Sequence, residues 1–135
     1  MSIIRTEITL KNAGDIIKAK DGFIKEEEIR QMTLESTVDT GAWTIVINEE
    51  VRDKLGLTIL DVRTGVLADG TRICNNMAGP IEVWCKGRRA VCDALVLPNT
   101  KNIYLGAIPM EIMDLTINPK RELIGIPEDE QIHLL

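Results

Sequence analysis

Apolar and polar residues alternate with a period of two through most of this chain. Successive side chains on a strand point to opposite faces, so the pattern calls for half-buried β-strands. Residues 6–12 (TEITLKN) and 16–20 (IIKAK) flank Ala13-Gly14-Asp15, which reads as a hairpin turn. Residues 29–38 (IRQMTLESTV) form the next candidate, and residues 81–85 (IEVWC) and 90–97 (AVCDALVL) flank a Lys86-Gly87 turn. Residues 114–118 (DLTIN) and 122–126 (ELIGI) are shorter runs, separated by Pro119 and Lys120.

Helices have little room. Residues 48–57 (NEEVRDKLGL) carry Asn48 as N-cap, Glu49 and Glu50 at the positive end and Lys54 near the other. Gly56 suits the stop, and Val51 and Leu55 share a face. Residues 109–115 (PMEIMDL) open on Pro109, which a first turn accepts. With no repeat, long linker or low-complexity run, residues 1–135 read as one domain. The expected fold is all-β, a small closed β-barrel with one or two short helices packed outside.

Composition excludes several partners. A net charge of −5 is wrong for nucleic acid, and the Lys86-Gly87-Arg88-Arg89 cluster reads as a solvated turn. No apolar run matches a signal peptide or membrane span, so a cytoplasmic protein without a membrane partner is expected. Cys74, Cys85 and Cys92 lack paired metal-type spacing and read as reduced, buried thiols. The one histidine, His133, sits in the acidic-then-apolar segment 127–135 (PEDEQIHLL), which frays or docks on a neighbour; no metal or other cofactor is expected. Trp43 and Trp84 read as packing residues, and the acidic run at residues 26–28 as a solvated face or loop.

One segment breaks the pattern. In residues 36–47 (STVDTGAWTIVI), Val38, Trp43, Ile45, Val46 and Ile47 suit a buried strand, yet Asp39, Thr40 and Gly41 stand between them. A carboxylate beside a core strand is costly unless partnered. Gly41, tolerant of unusual backbone angles, allows a sharp turn that holds Asp39 at the mouth of a groove near backbone N–H groups. An ordinary turn with a solvated Asp fits the tripeptide equally well. Ser36 lies close by, but no local histidine can serve it as a base.

Residues 37–42 (TVDTGA) resemble the active-site loop of the retropepsin-like aspartic proteases, and the resemblance continues in order. Residues 46–57 (VINEEVRDKLGL) are similar to the helix after that loop. Residues 66–73 (VLADGTRI) resemble the start of the flap hairpin, with Asp69-Gly70 as the turn; Ala68, Asp69, Gly70 and Thr71 then form the implied flap and substrate-binding residues. Residues 93–106 (DALVLPNTKNIYLG) resemble the later strand pair, ending in the glycine motif Tyr104-Leu105-Gly106. Residues 107–119 (AIPMEIMDLTINP) resemble the closing helix and strand, so the similarity spans residues 29–126, while the part before Ile29 matches loosely. Thr37, Trp43 and the Ala-Ile-Pro after Gly106 depart from the usual pattern. The Met start, with no obvious flanking polyprotein, fits a stand-alone, non-viral member.

The resemblance implies a peptide-bond hydrolase with Asp39 as catalytic residue and Thr40, Gly41 and Ala42 supporting the loop. That chemistry needs two carboxylates sharing one proton, because like charges a few ångströms apart cannot both ionise. With a single Asp-Thr-Gly and no room for a second lobe, the expected partner is a second copy, each contributing its Asp39 across a two-fold axis. A peptide or protein is the expected substrate, and the flap closes over it. Two rivals remain: a non-catalytic dimerisation or peptide-binding module of the same fold, and an unrelated small β-barrel that binds a small ligand as a monomer.

Overall fold

The structure is a computed structural model and describes residues 3–126; the segment 127–135, with His133, lies outside the described residues. Strand β1 (Ile4–Asn12) turns Ile8 and Leu10 into the core and leaves Glu7 exposed, as its alternation requires. It pairs antiparallel with β2 (Gln31–Val38) and, at its C-terminal end, with β5 (Arg72–Cys85). β6 (Arg88–Val96) pairs antiparallel with β5 and parallel with the short, wholly buried β3 (Ile45–Ile47). β7 (Tyr104–Leu105) lies between β2 and β3. Because β1 meets both β2 and β5, every strand of this seven-stranded sheet except β4 (Thr58–Val66) belongs to a closed ring of pairings. A separate two-stranded sheet joins β8 (Leu115–Ile117) to β9 (Leu123–Gly125).

The core is aliphatic. Ile8, Leu10, Ile45, Ile47, Ile81 and Leu105 are almost wholly buried, each stabilising the fold by about 1.5–3 kcal/mol. Helix α2 (Glu49–Leu55) adds Val51 and Leu55 to that core. It has the expected caps: the Asn48 side chain accepts from the Val51 N–H at 2.9 Å, and Gly56 is left-handed at φ 62°. Helix α3 (Ala107–Ile112) begins two residues before Pro109, which falls inside the first turn.

The segment expected as a turn and strand at residues 13–20 is instead a helix, α1 (Ala13–Lys20), so the described residues hold three α-helices where one or two were expected. The β-branched pair Ile16-Ile17 suggests a strand, but the caps decide otherwise. The Asn12 side chain accepts from the Asp15 N–H at 3.0 Å and donates to the Leu55 carbonyl at 2.8 Å. Asp15, only 3% exposed, takes three hydrogen bonds from Arg30, through its backbone N–H (3.0 Å), Nε (2.8 Å) and Nη2 (2.9 Å). The Arg30 guanidinium, against the opposing effect of burial, holds the Asp15 carboxyl below the ordinary carboxylate value, with help from the Arg30 backbone N–H.

Two other expectations need correction. The Lys86-Gly87 turn is present and exposed, but Arg88 is no solvated residue: it donates to the carbonyls of Met113 (3.0 Å), Asp114 (2.8 Å) and Ile126 (2.7 Å). Arg89 in turn pairs with the buried Glu82 at 2.7 Å. Of the three thiols, Cys85 is buried and Cys92 half-buried, but Cys74 is exposed on the outer half of β5. Burial pushes the Cys85 and Cys92 thiols up. The run Glu26–Glu28 is an exposed single turn of 3-10 helix, as a solvated face requires.

Candidate active site

Asp39 sits where β2 ends and the chain turns toward β3. Strand β7 lies between these two arms, pairing Thr37 with Tyr104 and Val38 with Leu105 on one side and Val46 with Tyr104 on the other. Sequence-distant segments therefore hold the loop from within. The Asp39 N–H donates to the Leu105 carbonyl at 3.0 Å, and the Thr37 N–H to Ile103 at 2.8 Å. The turn closes through the Ala42 N–H on the Asp39 carbonyl at 3.1 Å, while the Gly41 N–H donates to Asp39 Oδ1 at 2.8 Å. That last bond orients the carboxylate, one oxygen of which remains for other chemistry.

Gly41 matters for a different reason from the one expected. Its φ is not positive; instead a Cβ there would stand 3.1 Å from Asp39 Oδ1, crowding the oxygen its own N–H holds. Gly106 is the more constrained glycine. A Cβ on it would meet the Thr44 carbonyl oxygen at 2.2 Å and that of Ala42 at 2.6 Å, both backbone atoms. Just past it, the N–H groups of Ala107 and Ile108 donate to the carbonyls of Ala42 (2.9 Å) and Trp43 (3.0 Å). The first turn of α3 thus fastens the far arm of the Asp39 loop, and the missing side chain of Gly106 is what admits it. Thr44, buried, completes this anchoring by donating to the Asp93 carbonyl at 2.9 Å. Ser36 is likewise buried, and its hydroxyl donates to the Thr6 carbonyl at 3.1 Å, which fits a structural rather than a nucleophilic part.

A hairpin of β4 and β5 stands beside this loop, every residue of β4 being exposed. Its tip has the expected turn: Gly70 is left-handed at φ 85°, and the Gly70 N–H donates to the Leu67 carbonyl at 2.9 Å. The Thr71 N–H reaches Asp69 Oδ1 at 2.8 Å, and the Thr71 side chain and backbone hold the Asp69 carboxyl below its ordinary value. Between hairpin and loop runs an open groove of about 560 Å³ with Asp39, Gly41, Ala42 and Tyr104 on one wall and Val66 and Leu67 on the other. Leu105 and Gly106 stay buried beneath it. Of the expected flap residues, Ala68, Asp69, Gly70 and Thr71 form the tip and do not line the groove; the strand residues just before them do. Thr40 is exposed and borders a shallower cavity of about 350 Å³ with Ala107, Met110 and Thr116.

Trp43, expected as a packing residue, is 46% exposed and lines the groove. The Arg63 guanidinium from β4 lies 4.6 Å from its ring centroid and thereby ties the hairpin to the Asp39 loop. Strand β4 was legible in principle from the alternation of Leu60 and Val62 with Asp61 and Arg63. No local pattern, however, announces that Arg63 meets Trp43. Among the described residues, no group of three or more His, Cys, Asp or Glu side chains is placed to hold a metal ion, and no helix is long and apolar enough to cross a membrane. Comparison of the chain with protein-family models gives no match, and comparison with curated proteins gives none either.

Proposed function

We propose that this chain is an aspartic endopeptidase of retropepsin type, a small acid-protease barrel that acts as a homodimer on extended, largely apolar peptides. The observation that carries the reading is the seat of Asp39. Its loop is held by β7 from within and by α3 from beyond Gly106, and it opens on a groove flanked by a projecting hairpin. A carboxylate fixed by backbone bonds beside a peptide-sized groove suits general acid–base work on water.

In the dimer, the two Asp39 carboxyls share one proton. The ionised one takes a proton from water as the water oxygen attacks the scissile carbonyl carbon, while the protonated one donates to the carbonyl oxygen. The carboxyl that took the water proton then gives it to the amide nitrogen, and the other carboxylate takes a proton back from a hydroxyl of the tetrahedral intermediate. The C–N bond breaks, and acid and amine leave with the dyad again sharing one proton. No covalent intermediate forms, so no nucleophilic Ser or Cys is required. Three cysteines that are free among the described residues fit the cytoplasmic location that belongs to this reading.

The decisive experiment is cleavage of a diverse peptide library from acid to neutral pH by the intact chain and by Asp39→Asn. The expected result is cleavage that disappears in the variant, by roughly a thousandfold or more, while its dimer persists. Cleavage that survives in Asp39→Asn would sink the proposal. A well-folded dimer that binds but never cuts would favour the second reading, a peptide-binding module, for which the exposed Trp43 on the groove is the specific support.

A further inference from the structure

Among the described residues, the groove beside Asp39 carries only one other charged side chain, Arg63; its remaining walls include Val46, Val66, Leu67, Ile73 and Leu95. The Arg63 guanidinium lies over the Trp43 indole, its Cζ 4.6 Å from the ring centroid. A guanidinium carries five N–H donors, more than a contact with one ring face occupies, so donors remain to bond a ligand in the groove. Among the described residues no carboxylate lies within ion-pair distance of it. Asp61 and Asp93 border a smaller cavity of about 250 Å³ together with Arg63, yet neither reaches it.

A surface arginine on an indole often does no more than cover apolar area with its stem. Position distinguishes this one. It lies on the wall of the groove that holds Asp39, its contact with Trp43 reduces its rotamer freedom, and its guanidinium has donors suited to a carboxylate. We propose that Arg63, positioned by Trp43, is a specificity residue that selects peptides carrying one Glu or Asp side chain among apolar residues. This rests on reading the groove as the substrate face of the Asp39 site. Because the groove is open to solvent, the selection is modest, up to about fivefold, rather than that of a buried pair.

The test uses the full chain and decapeptides that are apolar except at one position, varied among Glu, Gln and Lys and moved along the peptide. At one register the Glu peptide should be cleaved with up to about fivefold higher kcat/KM than its Gln counterpart. The difference should vanish in Arg63→Met and turn in favour of Lys in Arg63→Glu. Equal kcat/KM for Glu and Gln at every register, from an enzyme whose cleavage depends on Asp39, would overturn the inference and leave the protease reading standing. If no peptide is cut, the protease reading falls and binding decides the selectivity. Trp43 fluorescence in a Trp84→Phe background should then report tighter binding of the Glu peptide, and equal affinity for Glu and Gln would overturn it.

Discussion

Gly106 shows how much of this site hangs on one missing methyl group. Two backbone carbonyl oxygens of the Asp39 loop occupy the space where its Cβ would be, and neither can swing aside as a flexible side chain could. Gly106→Ala should therefore displace the loop or α3, costing about 1–3 kcal/mol or more, measured by urea unfolding. Activity should fall further than stability, since displacement moves Asp39. Asp15 is a second residue whose effect can be read directly. Its folded pKa lies below the unfolded value because Arg30 binds the charged form. The stabilisation is thus complete above the unfolded value, near pH 4, and is lost as pH falls through the lower folded value. Unfolding free energies measured from pH 6 downward should show that acid loss in the native chain and a shallower one in Asp15→Asn. At neutral pH the same substitution should cost about 1–3 kcal/mol.

Among the elements, the β8–β9 pair is the one whose attachment is least evident from its own residues. Arg88, at the start of β6, bonds three carbonyls around it, and Gly125 leaves room, since a Cβ there would come within 2.6 Å of the Arg88 side chain. Arg88→Met keeps much of the apolar stem but removes all three bonds. It should loosen β8 and β9 by about 2 kcal/mol, seen as a roughly 30-fold loss of amide exchange protection there with the β1–β2 pair unchanged. The β4–β5 hairpin is a contrasting element. It projects from the ring, its outer strand has no buried residue, and its link to the Asp39 loop includes a single stacked cation. So little burial puts the hairpin at the low-stability end of the fold, which suits the cover over the groove that the proposed function calls for.

For the whole molecule, the proposed chemistry makes assembly a condition of activity. One chain contributes one Asp39, so specific activity should fall on dilution below the dimer dissociation constant, with a parallel change in mass by light scattering. Mixing the native chain with excess Asp39→Asn should depress activity, because mixed dimers lack one carboxylate. Activity that is independent of concentration in a demonstrated monomer would refute the shared dyad.

The sequence by itself determined the strand-rich class, the caps of α2, and the turns at Lys86-Gly87 and Asp69-Gly70. Each of these is written in neighbouring residues: a period of two, an Asn and a Gly at helix ends, a glycine where φ is positive. Only the tertiary structure decided the rest. Residues 13–20 became a helix because Asn12 caps it and Arg30, from across a loop, meets the buried Asp15. Gly41 proved to need space and not an unusual angle, Arg88 to be an anchor, and Trp43 to face a groove with Arg63 upon it. In all these cases the deciding partner lies elsewhere in the chain. Local periodicity carries the sign of burial, but it holds no information about which distant side chain or carbonyl arrives to satisfy a polar group, and that pairing is what builds the site.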